Sequence, residues 1–172
     1  LRQINKNTLS KKAHIFPIKK ALMYVESNPI GLKGKSAQGS SYFSSQNPPV
    51  GAVFNYYIKD DIKTTKKQRQ AAEDKDPDNI SYPSIDELRI EDREEKPFFL
   101  FVIKDSEKNM VQKIKTNTGK GLQRMHWNFR YASTTPVRLA PYKPGRYGMP
   151  DYGPLALPGT HYVSLYKSVN GE

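Results

Sequence analysis

Three strand-like runs in the last third of the chain constrain its fold more than any other feature. They are Phe98-Phe99-Leu100-Phe101-Val102-Ile103, Gln123-Arg124-Met125-His126-Trp127-Asn128-Phe129-Arg130-Tyr131 and His161-Tyr162-Val163-Ser164-Leu165-Tyr166. In the second run Met125, Trp127, Phe129 and Tyr131 fall on one side, and Arg124, His126, Asn128 and Arg130 on the other. That period of two marks a strand with one buried and one wetted face. The turns between the runs have their own chemistry. Asp105-Ser106-Glu107-Lys108-Asn109 is a tight polar turn, with Met110 to Lys115 returning as a strand. Thr118-Gly119-Lys120-Gly121 turns the chain again, and Pro158-Gly159-Thr160 leads into the last run. The expectation is a mainly-β fold, an antiparallel β-sandwich.

Upstream, Asn47-Pro48-Pro49 is a stiff break, and the chain divides there. Residues 1–47 read as an N-terminal arm or linker, residues 48–172 as the sandwich. Within the arm, Ala13 to Ile18 and Ala21 to Val25 suit extended segments, although Pro17 cannot donate to a ladder and so argues against a central strand. Ala52 to Ile58 is the first strand of the main unit, with Phe54, Tyr56 and Ile58 on one face. Residues 63–95 read as a helical insertion. Thr64 to Lys75 is helix-compatible without an apolar stripe, which predicts a solvated helix or a mobile insertion. Ser84 and Glu87 form a capping box, after which Ile85 and Leu88 are expected to face the sheet while Asp86, Glu87 and Glu91 stay wet. Pro97 ends that helix.

The chain has 172 residues, 13 prolines, 11 glycines and no cysteine. This length suits one domain with an arm, or two small units. Without cysteine, disulfides, thiol nucleophiles and thiolate metal sites are excluded. No apolar run approaches the ~20 residues of a membrane-spanning helix. The chain opens on Leu1 with neither a starting Met nor a signal peptide, and Asn170-Gly171 is a strong hairpin signal with one residue after it. Both point to an excised piece of a longer protein, with a sandwich that lacks its last strand.

The formal charge is +11. In the arm Arg2, Lys6, Lys11, Lys12, Lys19, Lys20, Lys33 and Lys35 face only Glu26. Such a balance attracts nucleic acid or another polyanion. Here the cations are scattered and no nucleic-acid motif accompanies them, so a solvated surface is the better reading. Gly31-Leu32-Lys33-Gly34-Lys35-Ser36 lacks the spacing of a phosphate-binding loop. Glycoside hydrolysis needs two carboxylates across a cleft, yet the acidic residues at 86–95 alternate with Arg89, Arg93 and Lys96, as in ordinary helical pairing. His14, His126 and His161 lie in different strands without metal-ligand spacing. The residues therefore assign no catalytic group, metal or cofactor. The long loop at 132–158 is rich in Pro, Gly and Tyr. Its Tyr142, Tyr147 and Tyr152, with Arg138 and Arg146 nearby, form a candidate aromatic platform for polysaccharide or a partner surface. Anchoring of a long loop by the same tyrosines is the competing and favoured reading.

Taken in order, the Asp-Ser-x-x-Asn turn, the Lys-Gly to Trp-Asn-x-Arg-Tyr stretch and Pro-Gly-Thr-x-Tyr-Val-Ser-Leu resemble the Ig-like module of the flagellar hook-capping type. Asn47-Pro48-Pro49 through Tyr57, Tyr82-Pro83-Ser84, Leu88-Arg89 with Glu91-Asp92-Arg93-Glu94, and the Trp127 strand resemble the C-terminal region of bacterial sortilin-type, BNR-repeat β-propeller proteins, which often carry the name glycosyl hydrolase. That resemblance spans nearly the whole chain, with residues 1–30 similar to the exit from a propeller. It implies an Ig-like sandwich in an exported protein (periplasmic or extracellular), serving as a non-catalytic accessory module. Its partner is then the parent's β-propeller, which would carry any hydrolytic or ligand-binding activity. His161 departs from the β-former usual after Pro-Gly-Thr.

Overall fold

The computed structural model describes residues 3–25, 39, 41, 43, 45–77, 81–136 and 153–171. In chain order they form α1 (Lys6–Ser10), β1 (Ala13–Ile15), β2 (Ala52–Ile58), α2 (Thr65–Glu73), α3 (Ile85–Arg93), β3 (Phe98–Lys104), β4 (Met110–Asn117), β5 (Gly121–Trp127) and β6 (Tyr162–Ser168). The strands make two three-stranded antiparallel sheets, ordered β1-β2-β5 and β4-β3-β6. This is the expected mainly-β, sandwich-like architecture, with the helical insertion outside the sheets. The arm, expected to lie apart from the sandwich, supplies the edge strand β1 of the first sheet.

Alternation in the sequence becomes the core. Phe54, Tyr56 and Ile58 of β2 share one cluster with Phe99, Phe101 and Ile103 of β3, Val111 of β4 and Trp127 of β5. Phe101 joins the sheets. Its ring stacks on Phe54 at 6.0 Å between centroids and meets Tyr56 edge-on at 5.0 Å. Such aromatic pairs add about 0.5–1.5 kcal/mol each beyond the area they bury.

The tryptophan strand departs from expectation. Its alternation holds through Met125 and Trp127, but β5 ends there and Phe129 takes a left-handed φ of 61°. Instead of continuing, the chain turns and Trp127 Nε1 donates to the carbonyl of Arg130 at 2.8 Å. Phe129 and Tyr131 still pack against the core. Residues 153–156 replace the lost pairing. Tyr131 N–H donates to Pro154 at 2.9 Å, and Ala156 N–H to Phe129 at 2.7 Å. Gly51 (φ 127°) lies so close to this corner that a Cβ there would stand 1.9 Å from the Trp127 carbonyl oxygen.

The helical insertion also differs. α2 forms as a solvated helix with no buried residue. The Ser84–Glu87 box caps α3 as its sequence dictates. Yet Ile85 is 70% exposed and Leu88 40%, while Glu91 is buried at 8%. The reason is an ion pair rather than an apolar contact. Arg69 of α2 grips Glu91 through Nε–Oε1 (2.7 Å) and Nη2–Oε2 (2.8 Å), and also holds Glu73 at 2.6 Å. Lys66–Asp92 (3.6 Å) and the Thr65 amide on Glu94 (2.7 Å) extend the contact, which joins the start of α2 to the end of α3. Ile85 and Glu91 lie about 120° apart on the helix, and turning Glu91 toward α2 leaves Ile85 in water.

In the arm, α1 was without a sequence signal of the Ser/Thr-x-x-Glu kind. Asn5 and Thr8 cap it reciprocally. β1 then pairs with β2 in the register Ala13↔Ile58 to Ile15↔Tyr56. It is an edge strand that stops short of Pro17, a residue that sheets tolerate at their edges. At the other end, Asn170 and Gly171 have φ values of 53° and 83°, the pattern of a type I′ turn.

Candidate interaction surfaces

The carboxylates at 86–94 have structural partners. Asp86 accepts from Arg89 (3.2 Å), Glu91 from Arg69, and Glu94 from the Thr65 amide. The Arg69 guanidinium holds the Glu91 carboxyl below the usual carboxylate range. Glu87 is held low by the backbone N–H of Ser84 and then by its hydroxyl. The histidines stay apart, as their sequence positions imply. His14 meets Phe16 edge-on at 5.0 Å, His126 is exposed on β5, and His161 lies over Trp127 at 5.0 Å. His161, entering β6 of one sheet, thereby covers the tryptophan of the other. Among the described residues no three His, Asp or Glu side chains gather as a metal site requires.

Two surfaces do assemble side chains. The first is the outer face of the second sheet. With Phe99, Phe101 and Ile103 inward, alternation turns Phe98, Leu100, Val102 and Lys104 outward. The register sets Lys115, Leu100 and Tyr166 in one row across the sheet, and Lys104 and Tyr162 in another. Tyr162 and Tyr166 are 53% and 51% exposed. Lys115 Nζ stands 3.8 Å from the Phe98 ring centroid, a cation–π contact. The face thus has a lysine column on β4, an apolar column on β3 and tyrosines on β6. The unbroken apolar run of β3 was its sequence signal, since a strand with one wetted face should alternate.

The second surface is a groove of about 1330 Å³ between the arm and the outer face of the first sheet. Past Pro17 the arm leaves the sheet, and it returns where the Tyr24 hydroxyl donates to the carbonyl of Pro48. Val53, Asn55, Leu122 and Arg124 contribute from the sheet, Ile18, Lys19 and Lys20 from the arm. Arg124 Nε donates to Asn55 Oδ1 at 2.9 Å across the β2–β5 pair. Sequence reasoning missed this groove, because it depends on which strand β1 joins. The nearest signal was Pro17 closing one extended segment ahead of Asn47-Pro48-Pro49.

The platform residues Tyr142, Arg146, Tyr147 and Tyr152, with Arg138, lie outside the described residues. No described helix is long and apolar enough to cross a membrane. Compared with known proteins, the chain matches no family model, no curated protein and no solved structure.

Proposed function

We propose that this chain is a non-catalytic accessory module of a larger exported protein, and that it packs on another domain through the outer face of its second sheet. The sequence resemblance supplies the parent, a bacterial sortilin-type β-propeller protein with the propeller as partner. The observation that carries the packing role is the central strand β3. Its inward Phe99, Phe101 and Ile103 complete the core, and its outward Phe98, Leu100 and Val102 continue an apolar surface on the far side. A strand apolar on both faces is a strand covered on both faces. Here Val102 is already buried, and Phe98 and Leu100 are half-buried by their neighbours. The exposed rings of Tyr162 and Tyr166 beside them are what a neighbouring domain would cover.

The test is made on the native protein in its source. An antibody raised against the chain reports its size, and tyrosine-directed labelling reports Tyr162 and Tyr166. The reading expects a band several times larger than 19.6 kDa, with both tyrosines protected there and reactive in the isolated chain. A band near 19.6 kDa, or reactive tyrosines in a large one, overturns it.

A second reading has its own support. Tyr162 and Tyr166, two residues of the same face, are half exposed beside Lys104 and Lys115, which suits stacking on sugar rings. Carbohydrate binding by this face, or by the 132–158 loop, predicts retention on polysaccharide that ignores salt. Steeply salt-dependent retention on DNA instead supports a polyanion site on the basic arm.

A further inference from the structure

The groove beside the arm holds an unfinished edge. In the β1–β2 register Phe16 N–H donates to Asn55 (2.9 Å) and Lys59 N–H to Lys12 (3.0 Å). The odd-numbered residues of β2 therefore turn their backbone groups toward β1, and the even-numbered ones toward β5. Val53 is odd-numbered. Its N–H and C=O point to the side that β1 vacates at Pro17, where no described residue pairs with them. This half of β2 is part of the groove wall. Next to it are Lys19, Lys20 and Arg124, all exposed, and among the described residues no carboxylate lines the groove.

We propose that this groove is a strand-acceptor site, taking an extended peptide segment of alternating apolar and acidic residues that prolongs β1 along the open half of β2. Main-chain hydrogen bonds to Val53 supply affinity that is indifferent to sequence, and alternate side chains supply the choice of partner. The acidic set lies on the outer face, with Val53 and Arg124, and meets the three cations, whereas the apolar set turns to the inner side of the sheet, as Ile15 does. An acidic peptide is selected over a basic one because like charges brought into this groove repel. The site is separate from the face proposed to pack on a neighbouring domain, being on the other sheet.

The experiment is a nuclear magnetic resonance titration of the full chain with a capped eight-residue peptide alternating valine and glutamate. Binding is expected to shift the Val53 amide proton downfield, while the core amides of β3 stay in place. The double variant Lys19→Glu/Lys20→Glu, exposed and outside the core, is expected to weaken binding about tenfold. N-methylating one alternate set of peptide amides is expected to abolish binding, and methylating the other set to leave it intact. Equal tolerance of both sets overturns strand addition. An unmoved Val53 amide overturns the site, and equal binding of a valine–lysine peptide overturns the charge selection.

Discussion

Single side chains carry two steep predictions about stability. Trp127, the only tryptophan, is 3% exposed, joined to the corner at Arg130 and covered by His161. Trp127→Ala removes a large buried ring and leaves the Arg130 carbonyl without its donor. The cost is about 3–5 kcal/mol, a large share of the ~5–15 kcal/mol that holds a typical domain. Thermal unfolding followed by circular dichroism should show the variant largely unfolded at 37 °C. A melting temperature near wild type would place Trp127 at the surface instead. Gly51 is the second case. Its φ of 127° disfavours any L side chain, and the atom that a Cβ would strike is backbone, the Trp127 carbonyl oxygen. Backbone strain of this kind is worth about 1–3 kcal/mol, and here nothing flexible can give way. Gly51→Ala should lower the urea midpoint with an unchanged m-value. Gly51→Ala at wild-type stability would mean that β2 and β5 do not approach so closely at this corner.

At the scale of elements, what can be read from the sequence is what local chemistry fixes. β2 and β5 were legible because alternation of side chains is a property of the strand itself, and the N-terminus of α3 was legible because Ser84 and Glu87 are three residues apart. The rotation of α3 was not. Its determinant, Arg69, lies 22 residues upstream of Glu91, and amphipathic reasoning favours Ile85 and Leu88 as the buried pair. Nor could the end of β5 be foreseen, since Phe129 and Tyr131 keep the apolar period while residues 153–156 take over their pairing. The groove was hidden for a related reason, because Pro17 shows where β1 stops but not that β2 is the strand left open. The ion-paired helices carry a pH prediction. Glu91 and Glu87 both have folded-state pKa values lowered by their hydrogen bonds. Their contribution is therefore fully present above the unfolded carboxylate value of ~4.3 and is lost as pH falls through the folded values. Hydrogen exchange at pH 3 and pH 7, corrected for intrinsic rates, should show α2 and α3 losing protection in acid ahead of the β-sheets. Glu91→Gln should reproduce that loss at neutral pH, again confined to the helices. Equal loss of protection throughout the chain would show that the helical pair and the sandwich open as one unit.

Across the whole molecule the two sheets share one core, yet their outer faces are unequal. The first mixes Val53, Tyr57 and Leu122 with Asn55, Arg124 and His126, whereas the second carries Phe98, Leu100, Tyr162 and Tyr166. Lysines 113 and 115 on the edge strand β4 guard against indiscriminate pairing with other chains, which favours a specific partner for the apolar strip beside them. This asymmetry can be measured through two neighbours on β3. Phe101 is 0% exposed between the sheets, and Phe101→Ala should cost about 3–5 kcal/mol whether the chain is isolated or part of its parent. Leu100 points the other way, and Thr is a β-branched residue that a strand accepts. Leu100→Thr should cost the isolated chain less than ~1 kcal/mol, because the leucine is only half buried there. In the proposed parent the same substitution removes an apolar contact from a buried interface, so Tyr162 and Tyr166 should become reactive to tyrosine labelling there while the isolated variant stays folded. The decisive comparison is the difference between the two settings. If Leu100→Thr unfolds the isolated chain as readily as Phe101→Ala, the second face is already covered by the chain itself, and packing against another domain loses its basis.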